Sequence, residues 1–266
     1  MEIKKIAIIG GGNLGGAIAE GLVRSEAFEP SNITVTRRKL HLIEGLNKKG
    51  VKITSSNTEA VKDADMVFLV VKPYQVEDII KEIRPLLNPK KILISFVAGV
   101  NLETLEAAAG EDIPMFRAMP NTAIALCESM TCLSLLPKWS EYQETVSALF
   151  DKLGKTAVIN EELMSAATVL GSCGIAFALR FMRAATQGGI EIGFGAEMAQ
   201  YITAQTMKGA CELILQSNHH PEKEIDKVTT PRGITISGLN EMEHQGFSSS
   251  LIQGLVSSYH KIEKNK

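Results

Sequence analysis

Through the first 160 residues, short runs of β-branched and other apolar residues alternate with stretches in which apolar positions follow a helical period. The runs predict strands at Ile6–Ile9, Ile33–Thr36, Met66–Val71, Ile92–Phe96, Met115–Met119 and Thr131–Leu135. Between them, Leu14–Val23 and Val76–Ile83 have helical spacing, so this part reads as repeated strand–helix–strand units on a mainly parallel sheet. After Val158 the strand signals stop. From Glu161 to His260 the chain is rich in Ala, Met, Leu and Gln at helical spacing, which predicts an all-helical region. A short polar stretch near Asn160 marks the change, dividing the chain into an α/β domain over 1–160 and an all-α domain over 161–266. The faces at Ala166–Phe181 and Ala196–Leu215 are more apolar than so small a domain needs. They predict a partner subunit, with tight packing inside the chain as the alternative.

Composition narrows the class. A chain of 266 residues, 45% hydrophobic, can bury one large core or two modest ones. A net charge of -2 and the absence of a dense basic run give no reason to expect nucleic acid or an anionic membrane surface as partner. The longest continuous apolar runs, such as Met66–Val71, are too short to span a bilayer. Gly10 to Gly12 also interrupts the N-terminal apolar segment too early for a signal peptide, so a cytoplasmic protein is expected. The four cysteines lack zinc-ligand spacing and read as buried thiols. His219 and His220 read as solvated loop, and no metal site is expected.

The chemistry begins with Gly10-x-Gly12-x-x-Gly15, which follows a predicted strand and, with Asn13 and Leu14, opens a predicted helix. In that setting the glycines serve a tight turn, close approach of a pyrophosphate, and packing of helix on strand, as in a Rossmann-type dinucleotide site. Dinucleotide sites that hold a free ribose 2′-hydroxyl place an acid at the end of the second strand. This chain has Thr36-Arg37-Arg38 there and no acid before Glu44. A hydroxyl and a guanidinium suit a 2′-phosphate, so NADP(H) is favoured and NAD(H) stays open as a second cofactor. Arg37 carries this expectation, and Arg38 reads as a solvated side chain. Val71-Lys72-Pro73 ends another strand on the carboxyl edge of the sheet, where ligands of such sheets bind.

A second polar constellation runs from Asp226 to Glu243. Thr230 is placed to cap a helix beginning at Pro231, whose free N–H groups would attract a carboxylate. Gly233 would admit a ligand close to the backbone, and Thr235 would add a second hydroxyl. The same features suit an ordinary capped surface helix.

Taken together, Asp226-x-Val-x-Thr-Pro-x-Gly-x-Thr235 followed by Glu243, Gly10–Gly15, Asn57, Val71–Pro73, Ala98-Gly99, Arg117–Thr122 and Ala204–Ala210 resemble the pyrroline-5-carboxylate reductases over nearly the whole chain. The resemblance implies an NADPH-dependent reductase of the cyclic imine 1-pyrroline-5-carboxylate, acting in the last step of proline biosynthesis. It also implies a homodimer or higher homo-oligomer whose only ligands are small molecules. Asn57, Val71, Lys72, Pro73, Ala98 and Asn121 would line the ribose and nicotinamide end of the cofactor. Thr229, Thr230 and Gly233 would hold the substrate carboxylate, and Thr235 the imine nitrogen, making Thr230 and Thr235 the residues nearest the chemistry. Four positions depart from the family pattern. Cys173 stands for a serine, Ile175 and Ala123 for prolines, and Arg232 for a glycine. Arg232 would either strengthen or obstruct acid binding, or turn to solvent.

Other readings are a reductase of a related cyclic imine and a non-catalytic NADPH-binding paralogue. A 3-hydroxyisobutyrate-type dehydrogenase would need a catalytic lysine on the first long helix, and Leu163–Thr186 contains none.

Overall fold

In the computed structural model, which describes residues 3–264, eight strands form one sheet. They are β1 Ile6–Ile9, β2 Ile33–Thr36, β3 Lys52–Thr54, β4 Met66–Leu69, β5 Ile92–Ser95, β6 Met115–Met119, β7 Ser129–Leu135 and β8 Gly154–Val158. Their order is β3-β2-β1-β4-β5-β6-β7-β8, parallel except where β7 meets β6. The chain runs outward from β1 to β3 and then returns to place β4 on the other side of β1. The switch point therefore lies at the carboxyl ends of β1 and β4, where ligands of doubly wound sheets bind.

The two strands absent from the sequence reading, β3 and β8, are edges of the sheet. Both are partly exposed and carry no continuous apolar run, so they lack the signal that buried strands give. Every residue of β1, β4, β5 and β6 is buried. Alternate side chains enter two cores, Ile6 and Ile8 on one face of the sheet and Ala7 and Ile9 on the other. Phe68, Phe96 and Phe150 meet in the first core with ring centroids 5.1–6.0 Å apart.

Two buried cations hold elements together. Lys91 donates to the carbonyls of Val61, Lys62 and Ala64 at the end of helix Asn57–Lys62. Burial lowers its pKa, opposed by Asp65 and Asp63. Arg117 on β6 pairs with Glu161 at 3.0 Å. The same Glu161 oxygen accepts from the N–H of Leu102, at the start of helix Leu102–Ala109. Burial also pushes the Cys132 thiol up, away from the reactive thiolate.

The chain divides into two compact units, one running to Cys173 and rejoined from Tyr259, the other Gly174–Ser258. The second holds helices Gly174–Glu191, Ala196–Ser217, Pro221–Val228 and Ile234–His244, and most of Phe247–Glu263. Gly189 abuts Ala199, so the first two of these helices cross on small residues. Phe181 meets Phe247 edge-on at 6.1 Å. His219 and His220 are not simply solvated. His219 Nδ1 lies 2.6 Å from Glu224, and the His220 ring accepts the Glu222 N–H at the start of helix Pro221–Val228. Hydrogen bonds from Lys227 and His219 hold the Glu224 carboxyl below its usual range.

Glu161–Glu191 is continuously helical over 31 residues and contains an 18-residue window of mean hydropathy 1.5, so by length and composition it could cross a bilayer, a test that the core helix of a soluble protein also passes. The sequence reading missed this because Gly, Ser and Thr break the stretch into short apolar runs.

Candidate functional site

The turn after β1 is built on three glycines that differ in what surrounds them. Gly10 has φ +106°, and a Cβ there would lie 2.2 Å from the carbonyl oxygen of Val70. At Gly15 a Cβ would lie 2.1 Å from the carbonyl oxygen of Gly10, so helix Asn13–Arg24 could not pack on the turn. Gly12 is the opposite case, with open space where its Cβ would be. It is also the N-cap of that helix, which no side chain caps, and Asn13 and Leu14 follow as the first helical residues. Unanswered N–H groups facing an open space are what an anion requires.

The end of β2 braces this turn. Thr36 is buried, and its hydroxyl donates to Asn57 Oδ1 at 2.8 Å while accepting the Gly10 N–H at 3.2 Å. The hydroxyl expected to meet a 2′-phosphate is thus committed inside the protein, because at a strand end it faces the glycine turn. Arg37 Nη1 donates to the carbonyl of Gly11 at 2.7 Å, which fixes the guanidinium beside the turn with donors to spare. Arg38 is exposed. Asn57, the first residue of its helix, donates through Nδ2 to Glu82 at 2.8 Å. Glu82 was not singled out from the sequence, since it lies 25 residues from Asn57 with no local motif around it.

Beyond β4, Val71 is half-buried and Lys72 and Pro73 are exposed. Lys72 is extended before its proline, and its N–H donates to the side chain of Gln75. Ala98 and Gly99 follow β5, Gly99 with φ +78° and open space at its Cβ position. Asn121 follows β6 and is 9% exposed. Its Nδ2 donates to the carbonyl of Gly171 at 3.1 Å and its Oδ1 accepts the N–H of Ala123 at 3.0 Å. That amide organises the chain around itself, and one N–H remains for a ligand. Gly171 belongs to a π-helical segment, Thr168–Cys173, of the kind often found at functional sites.

Thr229, Thr230, Gly233 and Thr235 all belong to the helical unit. There the expected cap is displaced. Thr230 opens a turn in which its carbonyl accepts the N–H of Gly233 at 2.8 Å, and the helix starts only at Ile234 with Gly233 as N-cap. Pro231 takes the second turn position, and Arg232 the third with φ +62°, the pattern of a type II turn that favours glycine there. A Cβ on Gly233 would come 2.5 Å from Thr230 Oγ1. The glycine therefore makes room for the neighbouring hydroxyl. Thr235 is exposed in the first turn of the helix, its hydroxyl free of hydrogen bonds among the described residues. Arg232 is exposed as well.

An open, mainly parallel sheet with a glycine turn against an uncapped helix N-terminus defines a dinucleotide-binding α/β protein of Rossmann type. Residues 5–99 match the family described as NADP oxidoreductase coenzyme F420-dependent, and residues 161–265 that described as pyrroline-5-carboxylate reductase dimerisation. Pyrroline-5-carboxylate reductase 2 of Dictyostelium discoideum is 42% identical, over 99% of this chain and 93% of that protein. Pyrroline-5-carboxylate reductase 1 of the same organism is 46% identical over 96% of this chain, which spans about half (49%) of that longer protein. The crystal structure of Plasmodium falciparum pyrroline carboxylate reductase with NADP bound superposes with TM-score 0.91 at 26% identity, covering 100% of this chain and 99% of that one. The chain belongs to the pyrroline-5-carboxylate reductase family.

Proposed function

We propose that this protein reduces 1-pyrroline-5-carboxylate to proline with NADPH, closing proline biosynthesis. The observation that carries the reading is the open space over Gly12 at the uncapped start of helix Asn13–Arg24, in a chain whose relatives are reductases of this name. Residues 1–160 bind the dinucleotide, and residues 161–266 bind substrate and a second copy of the chain. Gly10, Gly12, Asn13, Leu14 and Gly15 receive the pyrophosphate, and Arg37 the 2′-phosphate. Thr36 and Asn57 brace these groups, while Val71, Lys72, Pro73, Ala98 and Asn121 border the nicotinamide end. When bound, the dihydronicotinamide supplies a hydride to the imine carbon.

The protein's own contribution is position and charge. A protonated cyclic imine is already a strong electrophile, so a histidine base is not required. Thr229, Thr230 and Gly233 frame the carboxylate site, with the free N–H groups that open helix Ile234–His244 as donors, and the free Thr235 hydroxyl orients the imine nitrogen. Arg232, exposed on the turn, adds positive charge on the side of the acid. Pairing of helical units into a homodimer or larger assembly would cover apolar side chains that a single chain leaves exposed, and would also account for the apolar stretch Glu161–Glu191. The four cysteines are all free, in keeping with a soluble protein of a reducing, cytoplasmic compartment.

The test is NADPH oxidation, followed by absorbance, with the five-membered imine, then with NADH and with the six-membered homologue. Rapid turnover preferring NADPH and the five-membered ring supports the assignment. NADPH binding without turnover on either imine would turn the reading toward a non-catalytic paralogue.

A further inference from the structure

Glu82 closes a hydrogen-bond chain that ends on the dinucleotide turn. Its carboxylate can only accept, so it receives Asn57 Nδ2 at 2.8 Å. That contact turns Asn57 Oδ1 toward Thr36, whose hydroxyl donates to it at 2.8 Å. With its proton so directed, the Thr36 oxygen offers a lone pair to the Gly10 N–H at 3.2 Å. Each link has a fixed polarity, and the acceptor at the far end sets it. Without a carboxylate the Asn57 amide could flip, presenting N–H to Thr36 and releasing the proton that now points away from Gly10.

The chain joins four elements: helix Val76–Ile83, helix Asn57–Lys62, the end of β2 and the turn after β1. Its outer end is on the surface, since Glu82 is exposed, whereas Thr36 is 3% exposed. An exposed hydrogen bond contributes little to global stability. Its value here lies in holding the orientation of a buried hydroxyl that no other side chain orients among the described residues.

We propose that Glu82 is a positioning residue for dinucleotide binding, locking the Asn57 amide and through it Thr36 and the Gly10 turn. The proposal rests on the reading of the glycine turn as the NADPH site. The adenosine-side half of the cofactor should depend on it, because the braced groups are the turn and the end of β2.

The experiment is calorimetric titration of the full chain with NADPH and with adenosine 2′,5′-bisphosphate, for wild type, Glu82→Gln and Glu77→Gln. Glu77 is an exposed residue of the same helix and serves as control. Glu82→Gln, whose amide can either accept from or donate to Asn57 and so no longer fixes the direction of the chain, should weaken both ligands by the same roughly threefold to tenfold. Its Tm should stay within about 2 °C of wild type, and Glu77→Gln should bind normally. Unchanged affinity in Glu82→Gln beside normal wild-type binding would overturn this proposal alone. A wild type that binds neither ligand would overturn the cofactor reading with it. Weakened binding accompanied by a matching fall in Tm would show a merely structural role, and also counts against the proposal.

Discussion

The sheet unit and the helical unit satisfy their side chains differently. In the first, almost every apolar side chain of the central strands is fully buried, and even polar groups such as Thr36, Lys91 and Arg117 have partners inside. In the second, Ala199 is the single helical residue that is buried between Gly174 and Ser258, while Ile192, Leu215 and Ile234 are 79%, 73% and 94% exposed. Large exposed apolar side chains in such number belong to surfaces that another surface covers. The first unit is therefore complete by itself as a scaffold for a ligand, and the second is half of something. A ligand site on the first unit can be read from one chain, whereas the exposed surface of the second unit is completed only by assembly.

This contrast can be broken experimentally. The largest effect is expected from Gly15→Ala, where the new Cβ meets the Gly10 carbonyl oxygen at 2.1 Å. In a unit without slack the helix must shift, so stability should fall by about 1–3 kcal/mol and NADPH binding should be lost. Chemical denaturation and calorimetry measure the two, and a stable variant that binds NADPH would refute the packing argument.

Thr235→Ala probes the opposite situation, an exposed hydroxyl in a unit with room around it. Loss of one buried hydrogen bond to substrate predicts a fall in kcat/KM of roughly tenfold to a hundredfold. Tm should be unchanged. Wild-type kinetics would remove Thr235 from the mechanism.

Gly12→Ala separates ligand space from packing within the sheet unit. Nothing lies within 4 Å of its Cβ position, and its φ of -78° suits alanine. Stability should change by only about 0.5 kcal/mol, whereas NADPH affinity should drop tenfold or more, on the order of 1.4 kcal/mol. If affinity held, the open space would not be where the pyrophosphate sits.

The smallest effect is expected at Arg232, the turn position with φ +62°. Arg232→Gly relieves left-handed strain but loosens the unfolded chain. The net gain should be about 0.5 kcal/mol, or a Tm rise of about 1–2 °C. A lower Tm would show that the arginine side chain contributes stabilising contacts. A weaker KM for the imino acid, with kcat retained, would show that its charge serves substrate binding.

Much of this was legible in the chain. Four of the six expected strands were located to within a residue, because buried parallel strands are continuous apolar runs whose ends are marked by glycine, proline or polar residues. The Gly10–Gly15 turn was legible because its spacing carries the reason for each glycine. Two edge strands were not, and neither was the true start of the helix at Ile234. A Thr-Pro pair can either cap a helix or open a turn, and the hydrogen bond from Gly233 to Thr230 decides between them.

By itself the sequence determined the class of protein. Periodicity fixes which faces are buried, and glycine spacing fixes where backbone and ligand can approach, both through interactions local to a few residues. Only the tertiary structure decided which polar side chains serve each other. Thr36 reads as a ligand residue in the sequence and in the structure is held between Asn57 and Gly10, and Asn121 is largely committed to Gly171 and Ala123. Glu82 looked like any surface acid and closes the hydrogen-bond chain that ends on the glycine turn. A hydrogen bond needs its partner within about 3 Å, and partners 21, 25 or 50 residues apart along the chain are brought there only by the sheet.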